Sequence, residues 1–176
     1  MVFQYFHFFM KGFESMIRRF VLAAALLSPI ASTAQELPTA PYLPLDLATK
    51  AAQAALDACA AEGSNVSVAI VARSGATQVL LKADNSGAHT GSSAEGKAFT
   101  SAGLGRDTAG VAGFIAAQPA NSGMRDMDPR MVIQAGGLPI KFGDALVGGI
   151  GVGGAPSGDI DAKCAAAGLK AIGAAE

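Results

Sequence analysis

The chain has 176 residues, 51% of them hydrophobic and only 15% charged, with 22 glycines and no tryptophan. Its 13 basic and 14 acidic residues leave a net charge of −1, without the basic excess that a nucleic-acid partner requires, so nucleic-acid binding is excluded. A charged fraction well below the roughly 25% of ordinary domains predicts tight packing and a buried interface between copies of the chain.

The N-terminal part reads as a leader. Arg18-Arg19 is followed by the apolar stretch Phe20 to Leu27, then by Ser28-Pro29 and the small residues Ala31-Ser32-Thr33-Ala34. That succession of basic, apolar and small residues is the pattern of a cleavable secretory signal over residues 1–34. The apolar run is about half of the roughly twenty residues that a membrane-spanning helix needs, so no stable membrane anchor is expected. Translation begins at Met1 or at Met16, which stands just ahead of the basic pair, and a periplasmic or secreted location follows. Lys11, Arg18, Arg19 and Glu14 fall in the leader, which leaves a charge of −3 on the remainder. Residues 35–44 carry Pro38, Pro41 and Pro44 and form an extended lead-in. Residues 45–176 form one domain, large enough for its own core.

Within that domain, Leu45, Ala48, Ala52, Ala55, Leu56 and Cys59 recur at steps of three and four, which predicts a helix from Leu45 to Ala61, ended by Gly63. Val66 to Ala72 and Thr77 to Leu81 are β-rich runs separated by Arg73-Ser74-Gly75-Ala76, a hairpin. Ser92 and Glu95 have the spacing of a capping box for a helix over Glu95 to Leu104, closed by Gly105. Asp107 or Thr108 begins another helix, which Pro119 stops after about Ala117. Met131 to Ala135, Leu138 to Phe142 and Asp144 to Val152 read as three strands divided by glycine turns. A final helix runs from Gly158 or Asp159 to about Ile172. The order α β β α α β β β α, with short links inside each strand group, predicts an α+β fold around a central antiparallel five-stranded sheet. Cys59 and Cys164 lie on apolar helix stripes of an exported chain and are expected to pair.

His89 is the only histidine beyond the leader, in the loop Gly87-Ala88-His89-Thr90-Gly91. One histidine suffices as the protein ligand of a haem iron, and the alternative is an ordinary surface histidine. One histidine and two distant cysteines do not make a zinc site, and no nucleophile-elbow motif marks a hydrolase; no catalytic residue is assigned. Gly149 to Gly154 spells GxGxxG, but a dinucleotide site needs the first strand of a βαβ unit and an acidic residue about twenty positions on. The glycines read instead as close backbone approach, with the amides of Gly151, Gly153 and Gly154 near a helix N-terminus, where a carboxylate is received. Lys97 and Arg106 either pair with an anionic ligand or lie on a solvated helix face. Met124, Met127 and Met131 read as core filling.

Several runs carry a resemblance: Asn65 to Val71, Arg73-Ser74-Gly75, Lys82 to Thr90, Lys97 to Ala102, Gly148 to Pro156 and Asp161 to Leu169. In that order they resemble the GlcG/HbpS-like haem-binding, haem-degrading family over about Leu45 to Ile172. The resemblance implies a profilin-like fold, self-association into dimers or larger rings, and haem or a related tetrapyrrole as ligand. On that reading His89 approaches the iron and Lys97 or Arg106 meets a propionate. A small-molecule catabolic enzyme using the same pocket, and a ligand-free accessory of a membrane sensor partner, are the alternatives that the family suggests. The Glu-x-x-Glu iron-capture pairs of one branch are not evident. The leader makes the first prediction: protein recovered from the periplasm begins at or next to Gln35 by N-terminal mass analysis, and an intact Met1 or Met16 contradicts it.

Overall fold

A computed structural model describes residues 36–175. The chain divides into Met1–Thr39 and Ala40–Glu176, and every helix and strand described belongs to the second unit. The leader and its cleavage site lie outside the described residues.

In chain order the elements are α1 (Leu45–Ala61), β1 (Ser67–Ala72), β2 (Thr77–Lys82), α2 (Thr90–Leu104), α3 (Thr108–Ala117), a 3₁₀ segment (Pro119–Asp126), β3 (Gly137–Phe142), β4 (Ala145–Gly153) and α4 (Gly158–Ala171). The four strands form one sheet in the order β2-β1-β4-β3, with every neighbouring pair antiparallel. The fold is α+β.

Successive side chains of a strand point to opposite faces, and here both faces are covered. Val68, Ile70, Ile150 and Val152 meet the alanine stripe of α1 together with Cys164, Ala165 and Leu169 of α4. Ala69 and Val71, on the other face, meet Ala94, Ala98 and Ala102 of α2. β1 is therefore buried almost throughout, and each fully buried Val or Ile contributes about 1.5–3 kcal/mol.

The same alternation explains the glycine-rich run. Ile150 and Val152 face α1 and α4, while Gly149 and Gly151 face α2. A Cβ on Gly151 would stand 2.1 Å from the Ala94 carbonyl oxygen, and one on Gly149 would stand 2.3 Å from that of Ala98. The run is thus a strand whose alternate residues are stripped of side chains so that a helix backbone can lie on it. With Gly91, Gly96 and Gly103 inside it, α2 has poor intrinsic propensity and is held by this packing. It ends at Gly105, whose φ of 66° and amide bond to Ser101 O close the last turn.

The sheet has four strands where the sequence pattern suggested five. Met131 to Ala135 is apolar enough for a strand but lies against helices: the Val132 amide donates to Thr100 Oγ1 at 3.0 Å, and Ile133 joins Val111 and Ile115 in a satellite cluster. Gly96 permits this, since a Cβ there would stand 2.4 Å from Val132 Cγ2. α2 also begins earlier than expected, with His89 in the N-cap position and no side-chain cap. The Ser92–Glu95 capping box does not form, because Glu95 accepts a hydrogen bond from Thr77 on β2. Met124 and Met131 pack against the satellite cluster, whereas Met127 is 65% exposed.

Cys59 and Cys164 form a disulfide between α1 and α4, with Cα atoms 5.5 Å apart. Closing a loop of 105 residues stabilises the fold by about 4–5 kcal/mol in the chain-entropy account. Replacing both cysteines with serine should therefore lower the urea midpoint by that equivalent. Two titratable thiols in unreduced, denatured protein would contradict the bond.

Candidate functional site

The loop carrying His89 is clamped from below. Lys82, the last residue of β2, points its ammonium at Ser86 O (2.8 Å), Ser86 Oγ (2.6 Å) and Gly87 O (2.8 Å), with Thr90 Oγ1 at 3.3 Å. Thr90 gives its single hydroxyl proton to Gly87 O at 2.8 Å, so the buried 2.8 Å contact between Thr90 and Ser67 has the Ser67 hydroxyl as its donor. The backbone on both sides of the histidine is thereby tied to β1 and β2. The imidazole itself is exposed and makes no capping bond. Gly87 leaves room for it, since a Cβ there would stand 2.9 Å from His89 Cε1.

From His89 onward, α2 runs beside β2. Leu80, 47% exposed, lies by Gly91, 3.9 Å from where a Cβ would sit. Further along, Thr77 meets Glu95. Beyond it opens a cavity of about 490 Å³, within the roughly 300–1,000 Å³ of small-molecule sites. Ser92, Ser93, Glu95 and Phe99 of α2, Val71 and Thr77 of the hairpin, and Arg130 and Val132 of the segment before β3 line it.

Arg130, whose side chain is 60% exposed, is held by two contacts. Its guanidinium carbon stands 3.9 Å from the centroid of the Phe99 ring. Its Nε and Nη2 donate to the two oxygens of Asp128 at 3.0 and 2.8 Å. That side-chain hydrogen bond first, and the Arg130 backbone amide second, lower the Asp128 pKa from 3.8 to about 2 and raise that of Arg130. A depressed carboxyl pKa means that the pairing is fully present above pH 3.8 and is lost as pH falls through about 2. The pair is solvent-exposed, so its effect is to orient the arginine and not to hold the fold. Nη1 is left facing Gly75, 3.8 Å from where a Cβ would sit.

The residues singled out in the sequence end up dispersed. Lys97 is neither a ligand contact nor on a solvated face: it is 1% exposed, with its ammonium 2.8 Å from Asp161 Oδ2 and 3.0 Å from Val152 O. The other Asp161 oxygen accepts the Ala155 amide at 3.0 Å. Arg106 stands 5.4 Å above the Phe114 ring and borders a separate depression with Asp107 and Lys141. Gly151 and Gly153 are paired in register with Ala69 and Ser67 of β1, and both are buried beneath α2. Gly154, at φ 126°, turns the chain past Thr90. Gly151 and Gly153 thus shape the packing of α2 on β4, while Gly154 is exposed. Arg130, Phe99 and Glu95 are not candidate site residues on sequence alone: Glu95 reads as a helix cap, and Arg130 stands far along the chain from Glu95 and Phe99, with only Asp128-Pro129-Arg130 hinting at a side chain held in place.

A family model described as haem degrading protein HbpS-like matches residues 43–170. The chain belongs to the HbpS-like family. A crystal structure of a double mutant of HbpS from Streptomyces reticuli is similar at 41% identity and a TM-score of 0.73, covering 81% of this chain and 95% of that one. A crystal structure of HbpS is similar at 42% identity and a TM-score of 0.73, over 80% of this chain and 97% of that one. A PduOC:heme complex shares the fold at 21% identity and a TM-score of 0.68, over 77% of this chain and 98% of that one. No curated protein matches the chain. Among the described residues of this HbpS-like chain, no cluster of three or more His, Cys, Asp or Glu is placed to hold a metal ion. No helix among them is long and apolar enough to cross a membrane.

The buried ion pair yields a prediction. Lys97→Met leaves Asp161 as an uncompensated buried carboxylate and should cost about 3–5 kcal/mol in urea unfolding. The double variant Lys97→Met, Asp161→Leu should recover a large part of that loss, and a single variant as stable as wild type would contradict the assignment.

Proposed function

We propose that this HbpS-like chain binds haem or a related tetrapyrrole at the N-terminal end of α2, with His89 as the iron ligand. The observation that carries the reading is the exposed imidazole on a loop that Lys82 and Thr90 clamp, in a family described as haem degrading. The residues present fit such a group. His89 offers a nitrogen donor with open access, and Leu80 beside Gly91 offers an apolar surface for a flat ring. Lys82 acts through the loop backbone and keeps the imidazole aimed, much as outer-shell partners orient metal-ligating histidines. A bound haem supplies redox and oxygen chemistry that no side chain of the protein has.

The leader extends this proposal to the periplasm or the exterior, and the low surface charge extends it to self-association of at least two copies. Lys97 is held by Asp161 and Arg106 follows the end of α2 opposite His89, so the proposal assigns neither to a propionate.

Titration of the purified protein with haem should sharpen and shift the Soret band. His89→Ala should abolish the shift or weaken binding at least tenfold with an unchanged urea midpoint. An unaltered spectrum in that variant removes His89 as the ligand, and the absence of binding by wild type removes the function.

A further inference from the structure

The cavity beside Phe99 is lined by two opposite charges, Glu95 and Arg130, which form no ion pair with each other. Arg130 is paired with Asp128 and Lys97 with Asp161, while among the described residues Glu95 accepts only the Thr77 hydroxyl, on Oε1. Glu95 Oε2 and Arg130 Nη1 therefore remain as one acceptor and one donor in the wall of the same cavity. A simple anion drawn to Arg130 would also meet the fields of Glu95 and Asp128, and a simple cation drawn to Glu95 would meet that of Arg130. A ligand carrying both charges satisfies both. The same wall carries the apolar side chains of Val71, Phe99 and Val132.

We infer that this cavity binds a zwitterionic amino-carboxylate of amino-acid size with an apolar side group, its carboxylate on Arg130 Nη1 and its ammonium on Glu95 Oε2. Both anchors are ordered before the ligand arrives. Arg130 is stacked on Phe99 and gripped along one edge by Asp128, so little side-chain freedom is lost on binding. Glu95 is oriented by Thr77. Gly75, at φ 85°, keeps the approach to Nη1 open, because a Cβ there would press on Phe99 Cε2 at 3.0 Å. The volume of about 490 Å³ admits such a molecule with room for its side group. His89 is not among the residues that line the site, and binding there does not require haem.

The test uses the full chain and three probes of one shape: L-leucine, 4-methylpentanoate, which lacks the ammonium, and isopentylamine, which lacks the carboxylate. Calorimetry, with amide shifts by NMR to locate the ligand, should show L-leucine binding at least tenfold more tightly than either analogue, with shifts centred on Gly75, Gly96 and Arg130. Arg130→Gln should erase the preference for L-leucine over isopentylamine, and Glu95→Gln the preference over 4-methylpentanoate. The haem-induced Soret shift should be the same in both variants as in wild type, which also shows that they are folded. Equal binding of the three probes overturns the inference, as does the absence of binding by L-leucine, L-valine and L-phenylalanine at millimolar concentration. Loss of haem binding by wild type would refute the tetrapyrrole reading and leave this measurement standing.

Discussion

The direct contact between the backbone of α2 and the face of β4 is the constraint on which the other features rest. It exists because Gly149 and Gly151 present no side chain where Ala94 and Ala98 pass within about 2 Å of a would-be Cβ. A helix with three internal glycines and no side-chain cap has little stability of its own. Lying on a glycine-lined strand, it becomes a rigid element from which a loop and a cavity are both hung.

Two cross-links then fasten the layers. Lys97 leaves α2, reaches the end of β4 and meets Asp161 of α4, so the helix on one face of the sheet is tied to a helix on the other. The disulfide ties α4 to α1. The ion pair is buried, with each partner also hydrogen-bonded to backbone, and its main consequence is positional: it sets where the turn after Val152 sits, through the Ala155 amide. A hydrophobic pair of equal volume would pack there without that directional hold.

Along the exposed flank of α2, function is distributed by distance. The histidine end is open, with its loop held by an ammonium surrounded by oxygens. The Phe99 end is enclosed and carries a stacked arginine. His89 is not among the residues that line the cavity, but Ser92 and Ser93 are, so the cavity begins about one helical turn from the histidine. The two are neighbouring places on one scaffold.

Much of the architecture was legible in the residues themselves. The alanine stripe of α1, the hairpin around Gly75, the capping Asp107 of α3 and the pairing of Cys59 with Cys164 all follow from local period, turn chemistry or an apolar helix face. The close approach at Gly149 to Gly154 was legible too, as was the family. What the tertiary structure decided is of another kind. Whether Met131 to Ala135 pairs as a strand or leans on α2 depends on Gly96, which is remote in the chain. Whether Glu95 caps its own helix or turns to Thr77 depends on the register of β2. Whether Lys97 reaches solvent, a ligand or Asp161 depends on an element that begins some sixty residues later. Short-range pattern reports a residue's neighbours along the chain, whereas the fate of a charge is set by the oxygen or ring that folding brings to it from elsewhere.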